Sequence, residues 1–249
     1  MISGRVVKKS DKRKKIGILY GFLIVVVVIL CLIFATSMVF KVKNIEVAGN
    51  VKYSAEEIKD ACDIKIGNNL FLINKFSSIN KMFKEMPYLK EIQIRRRYPD
   101  TIVINITERT PSGNVNGLII DGDSIVIDRL TDKQVTFVRG FEVDMEASKL
   151  GEPLAGSAEK LPLLKAFMKT AADLEITGKI RMLDMTEIYN IKFEYDNRIV
   201  VDLGIVEDME MKIKQFDQVV KMLNPEDTGN IDMSNEKIKF TMGEFEPIG

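Results

Sequence analysis

The sequence predicts an α+β protein: a single N-terminal transmembrane helix, a β-α-α-β-β domain, and then a mainly antiparallel β domain with two helices. Three observations support this order. Residues 16–40 are apolar and uncharged, residues 41–110 show helix caps and apolar periodicity, and residues 111–242 show short apolar runs separated by turn residues. As a helix, the apolar stretch would reach roughly 37 Å, more than a hydrocarbon core of about 30 Å.

The charges around the apolar stretch predict its orientation. Residues 1–15 contain seven Lys or Arg and one Asp, which gives +6 (seven minus one); because the chain is neutral overall, residues 41–249 sum to −6. Basic residues that precede a span stay on the cytoplasmic side, so the large C-terminal part is expected on the outer side of the membrane. The basic tail is expected to contact anionic lipid rather than nucleic acid. A cleaved signal peptide would have a shorter apolar region.

The first domain, residues 41–110, reads as strand, helix, helix, strand, strand. Gly49-Asn50 ends a strand, and Ser54 with Glu57 three residues later forms a capping-box pattern for a helix through Ala61. A second helix is predicted over Ser77–Met86, where Pro87 stops it. Two further strands follow, joined by a turn at Tyr98-Pro99-Asp100.

The second domain, residues 111–242, begins after turn-forming residues at Thr110–Gly113. Asp121-Gly122-Asp123 and Asp196-Asn197 each join two apolar runs and predict hairpins. Helices are expected over about Leu163–Leu174 and Glu207–Leu223, and a closing strand near Lys237–Met242. Residues 243–249 form a short C-terminal tail.

The composition argues against an enzyme. The chain has no His and only two Cys, of which Cys31 lies in the predicted span. A Ser-His triad and a His-ligated zinc are therefore excluded, and no cofactor or metal is expected. Ser-x-x-Lys spacings occur at Ser78/Lys81, Ser157/Lys160 and Ser234/Lys237, but the companion motifs of penicillin-interactive serine enzymes are missing.

Several motifs together resemble the FtsQ/DivIB family of bacterial cell-division proteins. They are Val47-Ala48-Gly49-Asn50, Gly67-Asn68-Asn69-Leu70-Phe71, Arg97-Tyr98-Pro99-Asp100-Thr101, Glu108-Arg109-Thr110-Pro111, Leu118-Ile119-Ile120-Asp121 and Gly229-Asn230-Ile231-Asp232. The Tyr-Pro and Glu-Arg-x-Pro cluster is the most specific of them. Residues 128–180 carry no motif that aligns with the family.

The resemblance implies a POTRA-like first domain and a non-enzymatic, single-pass scaffold at the division septum. Its implied partners are FtsL- and FtsB/DivIC-type coiled-coil proteins and other divisome membrane proteins, and its implied role is to help control septal peptidoglycan synthesis. In the family the partner docks on the closing strand and the helix before it. Here these positions correspond to Lys237, Ile238, Lys239, Phe240 and Thr241, with Phe216 and Val220 on the helix.

Three alternatives stay open at this stage. Arg95, Arg96 and Arg97 are either a docking patch of the POTRA-like domain or a solvated strand edge. A POTRA-type chaperone for secreted or envelope proteins would need a following transmembrane β-barrel, and the short strands do not favour one. A membrane-anchored ligand sensor would need an output domain, and a tail of about 15 residues is too short for that.

Overall fold

The computed structural model describes residues 10–129, 134–235 and 237–248; within the first helix, the side chains of residues 10–18, 32, 33 and 35–38 also lie outside the described part. The predictions for residues 1–9 of the basic tail and for residue 249 of the C-terminal tail fall on residues outside the description.

The first helix, α1, spans Ser10–Val39, so it begins before the predicted apolar stretch and takes in the end of the predicted tail. Its described large apolar side chains, among them Leu19, Phe22 and Phe34, are exposed. The described residues include no helix that is both long enough and apolar enough to cross a membrane. The transmembrane helix therefore stays a prediction from the sequence.

A three-stranded sheet with two helices follows α1. Its elements are β1 (Asn44–Ala48), α2 (Ala55–Cys62), α3 (Lys75–Glu85), β2 (Leu89–Arg97) and β3 (Thr101–Glu108). The strand order is β1-β3-β2, with β1 parallel to β3. This is the predicted β-α-α-β-β order.

Local sequence signals account for the start of α2 and the end of β1. The Ser54 hydroxyl accepts a hydrogen bond from the Glu57 N–H (3.2 Å), and the Glu57 carboxylate accepts one from the Ser54 N–H (2.8 Å), which confirms the capping box. Gly49 has φ +85°, and a Cβ there would lie 2.1 Å from the Ile106 carbonyl oxygen on β3. Only glycine permits this close approach.

The chain divides into two compact units. The first contains the residues up to 79 and residues 92–106, and the second contains residues 80–91 and all residues from 107 onward. The second half of α3 and the first residues of β2 therefore group with the C-terminal part of the chain.

A nine-stranded sheet dominates the second unit. Its elements are β4 (Pro111–Val115), β5 (Leu118–Asp121), β6 (Val126–Arg129), β7 (Thr136–Arg139), α4 (Lys160–Asp173), β8 (Ile180–Asp184), β9 (Ile191–Tyr195), β10 (Ile199–Gly204), α5 (Met209–Val220), β11 (Gly229–Asp232) and β12 (Lys239–Met242). The order is β12-β11-β10-β9-β8-β7-β4-β5-β6. Five of the eight pairings are antiparallel and three are parallel. Both predicted hairpins are present, as β5–β6 and β9–β10.

The core of the second unit lies between this sheet and the two helices. Phe167 of α4, Phe193 of β9 and Phe216 of α5 are fully buried, with ring centroids 5.4 and 4.8 Å apart. Edge-to-face contacts of this kind stabilise a core beyond the area that they bury. The apolar stripe of α5 therefore fixes this helix on the sheet.

A buried ion pair links the segment before β4 to the end of β5. The Arg109 guanidinium lies 2.6 Å from a carboxylate oxygen of Asp121, and both side chains are largely buried. Beside it, Lys90 lies 2.9 Å from Asp123. The hydrogen bond between Lys90 and Asp123 lowers the pKa of Asp123 and raises the pKa of Lys90. These contacts connect the Glu-Arg-x-Pro motif to the following hairpin within the second unit.

Candidate protein-interaction site

The strand β12 ends the nine-stranded sheet and has one partner, β11. The two strands are antiparallel, with Ile231 opposite Phe240 and Asp232 opposite Lys239. Within residues 10–129, 134–235 and 237–248, no strand pairs with the outer side of β12. The following tail does not reach this side either, because the Ile248 N–H donates to the Glu194 carboxylate on β9, toward the middle of the sheet.

The register shows which backbone groups of β12 face outward. The Gly243 N–H donates to the Thr228 carbonyl (3.1 Å), one position beyond the Gly229–Met242 pair. Because hydrogen-bonded and non-hydrogen-bonded pairs alternate in an antiparallel ladder, Lys239 and Thr241 bond to β11. The N–H and C=O groups of Phe240 and Met242 therefore point away from the sheet.

Gly229 permits the close approach of β12 to β11. It has φ +145°, and a Cβ there would lie 2.1 Å from the Thr241 carbonyl oxygen. Any other residue at this position would displace β12. The open edge thus depends on a glycine of the neighbouring strand.

A lysine clamp fixes the segment that leads from β11 into β12. The Lys212 ammonium on α5 donates to the carbonyls of Leu203, Ile205 (2.8 Å) and Met233 (3.0 Å). Burial lowers the pKa of Lys212, against the opposing attraction of Asp202, Asp232 and Glu207. One side chain thus holds α5 and the ends of two strands together.

The turn after β11 is closed by Asp232 and Ser234. The Ser234 hydroxyl and N–H both donate to one Asp232 carboxylate oxygen, at 2.6 and 2.9 Å. These hydrogen bonds lower the pKa of Asp232, and they keep the chain tight as it leaves β11.

An open groove lies beside this turn, at the N-terminal end of α5. It has a volume of about 620 Å³, and its walls include the exposed apolar side chains of Ile205, Met211 and Ile238. Exposed apolar residues next to an unpaired strand edge offer side-chain contacts in addition to main-chain hydrogen bonds. The strand edge and the groove together form the candidate site.

The structure separates the sequence-predicted interface residues into two groups. Lys239, Phe240 and Thr241 lie on β12, and Lys237 and Ile238 precede it. Phe216 and Val220 instead face the core, where Phe216 is fully buried and Val220 nearly so. Their burial removes both from the accessible surface, so we leave them out of the interface.

Three further residues, Met242, Ile205 and Met211, were not singled out as interface residues, although Met242 and Met211 lie within the closing strand and the helix where docking was expected. Met242 has 70% of its surface exposed. Met211 lies off the apolar stripe of α5, which favours exposure without indicating a site, and Ile205 lies in the segment between β10 and α5.

The three consecutive arginines of β2 have different surroundings. The Arg96 guanidinium donates to the carbonyls of Leu70 (2.6 Å), Ile73 (3.1 Å) and Phe71 (3.3 Å). Arg97 pairs with Glu46 of β1, and Arg95 is exposed. Arg96 therefore has a structural contact within the first unit, whereas docking by Arg95 and Arg97 stays a prediction.

The first domain matches a known family model. Residues 40–109 match the POTRA domain, FtsQ-type. The chain is thus a POTRA-domain protein whose second, β-rich part ends in an open strand.

Similar curated proteins extend this match over most of the chain. The chain is 29% identical to the cell division protein DivIB of Clostridium botulinum (strain Hall), over 93% of this chain and 92% of the relative. It is 28% identical to DivIB of Clostridium tetani (71% and 68%) and 25% identical to FtsQ of Corynebacterium glutamicum (84% and 91%). The resemblance read from the motifs is confirmed: the chain carries an FtsQ-type POTRA domain and is similar over most of its length to FtsQ/DivIB cell division proteins.

Proposed function

We propose that this chain is a non-enzymatic scaffold of the bacterial divisome that binds FtsL- and FtsB/DivIC-type proteins by strand addition at β12. Through that complex it helps to control septal peptidoglycan synthesis. The observation that carries the proposal is the outward-facing edge of β12 beside an apolar groove.

Membrane attachment is part of the proposal. The uncharged apolar residues 16–40 and the +6 tail before them support a single-pass anchor with a cytoplasmic N-terminus and the two domains outside. The exposed apolar side chains of α1 are consistent with a lipid environment. Basic residues of the tail would contact anionic lipid on the cytoplasmic side.

Strand addition explains why the edge is left open. Unpaired N–H and C=O groups on an edge strand are a template for another chain, and proteins usually block such edges. An incoming partner strand would pair with the outward groups of Phe240 and Met242, while its side chains contact the exposed groove.

The test removes an outward N–H without touching the β11 ladder. In full-length protein reconstituted with its coiled-coil partners, Met242→Pro is expected to weaken binding by about tenfold, equivalent to about 1.4 kcal/mol, because proline has no N–H to donate. Met242→Thr keeps the N–H and is the matched control. A proline at Lys239 would remove a donor to β11 and would test folding instead.

Binding is measured by titration of labelled partner, and folding by circular dichroism and urea unfolding. Strand addition is supported if Met242→Pro loses partner binding but unfolds in urea like the unmodified protein, while Met242→Thr binds the partner normally. Unchanged binding in a folded Met242→Pro protein contradicts it.

A further inference from the structure

A patch of exposed apolar side chains lies in the first unit, close to the end of α1. The patch, called here the apolar face, consists of Phe71, Leu72, Phe76 and Tyr98. Leu72 and Phe76 have 82% and 80% of their surfaces exposed, and Phe71 and Tyr98 are about half exposed, with their ring centroids 5.7 Å apart. Exposed apolar residues that lie close together mark a contact surface.

The apolar face is joined directly to the residue that follows α1. The Phe40 ring lies 5.0 Å from the Phe71 ring and 6.0 Å from the Tyr98 ring, between centroids. The Leu70 N–H donates to the Phe40 carbonyl (2.8 Å), and Val42 exchanges backbone hydrogen bonds with the loop at Gly67 and Asn68. The apolar loop is therefore fixed one residue beyond the end of the helix.

The loop is held in a shape that exposes these side chains. Arg96 donates hydrogen bonds to three carbonyls of the loop, and the side chain of Leu70 in the loop is fully buried. With its backbone groups satisfied and one side chain buried, the loop has a fixed conformation that leaves Phe71 and Leu72 outside.

The charges on the two segments are all of one sign. Residues 64–76 carry Lys65 and Lys75, and residues 39–43 carry Lys41 and Lys43, with no Asp or Glu in either segment. Acidic residues lie beside two of these lysines: Asp100 is 3.3 Å from the ammonium of Lys43, and Glu46, Asp60 and Asp63 line the same groove as Lys43 and Lys65. Lysines around aromatic and aliphatic side chains match an interface of anionic headgroups above acyl chains.

We propose that the apolar face inserts into the headgroup region of the outer leaflet and fixes the first domain against the bilayer. This inference rests on the proposed membrane anchor, because α1 brings the face to the lipid. Aromatic side chains favour the membrane–water interface, where their rings lie among the headgroups. The occupant of the face is a lipid surface that contains anionic lipid.

Tryptophan fluorescence tests the proposal, because the chain contains no Trp. Full-length Leu72→Trp and Phe76→Trp are reconstituted into vesicles of phosphatidylcholine and phosphatidylglycerol, with and without lipids brominated near the headgroup. Both indoles are expected to show blue-shifted emission and strong quenching by the brominated lipid. Val51→Trp is the matched control, since Val51 is 90% exposed and follows the far end of β1.

The outcomes separate this proposal from the anchor itself. Quenching in Leu72→Trp and Phe76→Trp but not in Val51→Trp supports insertion. If the protein floats with the vesicles but the indoles are not quenched, the lipid contact is overturned and the anchor stands. Equal quenching at all three positions contradicts insertion by the apolar face, because the contact is then not specific to it. Protein that does not float refutes the anchor, and the inference with it. If the indoles emit like buried groups in native membranes but are not quenched by brominated lipid, a protein partner covers the apolar face, and the lipid proposal is overturned.

Discussion

Arg96 and Lys212 perform the same task in the two units, but in different surroundings. Each is a cation that donates to three backbone carbonyls of residues at least seven positions away in sequence, and each fixes a segment next to a proposed contact surface. Arg96 holds an exposed loop with a planar guanidinium. Lys212 holds the ends of β10 and β11 beneath α5 with an ammonium.

The difference lies in what happens to the carbonyls when the cation is removed. Of the three residues whose carbonyls accept from Arg96, Leu70 is fully buried, whereas Phe71 is about half exposed and Ile73 is half-buried, so water can replace part of the lost donors. Leu203 and Met233, whose carbonyls accept from Lys212, are almost fully buried residues. A buried acceptor without a donor costs far more than an exposed one. Removal of Lys212 is therefore expected to lower the free energy of unfolding more than removal of Arg96, although each forms three hydrogen bonds.

The largest effect is expected for Lys212→Met. It leaves the carbonyls of Leu203, Ile205 and Met233 without their donor and should lower the free energy of unfolding by about 3 kcal/mol. Urea unfolding monitored by circular dichroism measures the loss. Lys214→Met on the same helix is the control, because its ammonium pairs with the exposed Glu210; it should change stability by less than about 0.5 kcal/mol. Equal effects of the two variants would contradict the clamp.

An intermediate effect is expected at Asp184, where a carboxylate rather than a carbonyl accepts. Burial raises the pKa of Asp184, but hydrogen bonds from Arg139 and Thr186 outweigh it and lower the pKa to about 2. Between pH about 4 and 2 the unfolded chain binds more protons than the folded protein. The stabilisation is thus complete above the ordinary pKa of 3.8 and is lost as the pH falls toward 2.

Asp184→Asn should therefore cost about 2 kcal/mol at neutral pH and almost nothing near pH 2. The measurement is urea unfolding as a function of pH. Asp196→Asn serves as the control, because the Asp196 carboxylate pairs with Arg198 but is more exposed than that of Asp184. A cost that does not change with pH would assign the effect of Asp184→Asn to packing rather than to charge.

The smallest effect on stability is expected for Arg96→Gln, about 1 kcal/mol, because the carbonyls of Phe71 and Ile73 can be rehydrated. Its functional effect should be larger. Combined with Leu72→Trp, it should reduce the quenching by brominated lipid, since the loop loses its fixed shape. The control is Arg95→Gln, one residue earlier on the strand. If Arg96→Gln destabilises the protein as much as Lys212→Met does, the contrast between Arg96 and Lys212 is wrong.

Local signals predicted much of the fold. The capping box at Ser54 and the Asp196-Asn197 turn are encoded within a few residues; Asp196 and Asn197 both have positive φ (56° and 51°), as a tight hairpin turn requires. The apolar residues Met209, Ile213, Phe216 and Val220 likewise predicted α5, because their spacing of three or four positions matches the helical repeat.

Features that depend on distant partners were not predictable in this way. β4 begins at Pro111 within Pro-Ser-Gly, residues that favour turns, and the strand forms because β5 and β7 pair with it on both sides. Phe216 and Val220 were assigned to the interface from the resemblance, but packing on the sheet buries them. The contact of Arg96 with a loop 23 to 26 residues earlier leaves no mark in its own sequence neighbourhood.

The parallel pairing of β1 with β3 has a mechanical consequence. Asn44 lies opposite Thr101 and Ala48 opposite Asn105, so the chain enters β1 at one end of the ladder and leaves β3 at the other. Tension applied between the residues before β1 and those after β3 pulls the two strands past each other in shear. The ladder hydrogen bonds then share the load instead of breaking one after another, so this pair of strands is arranged to bear a force along the chain.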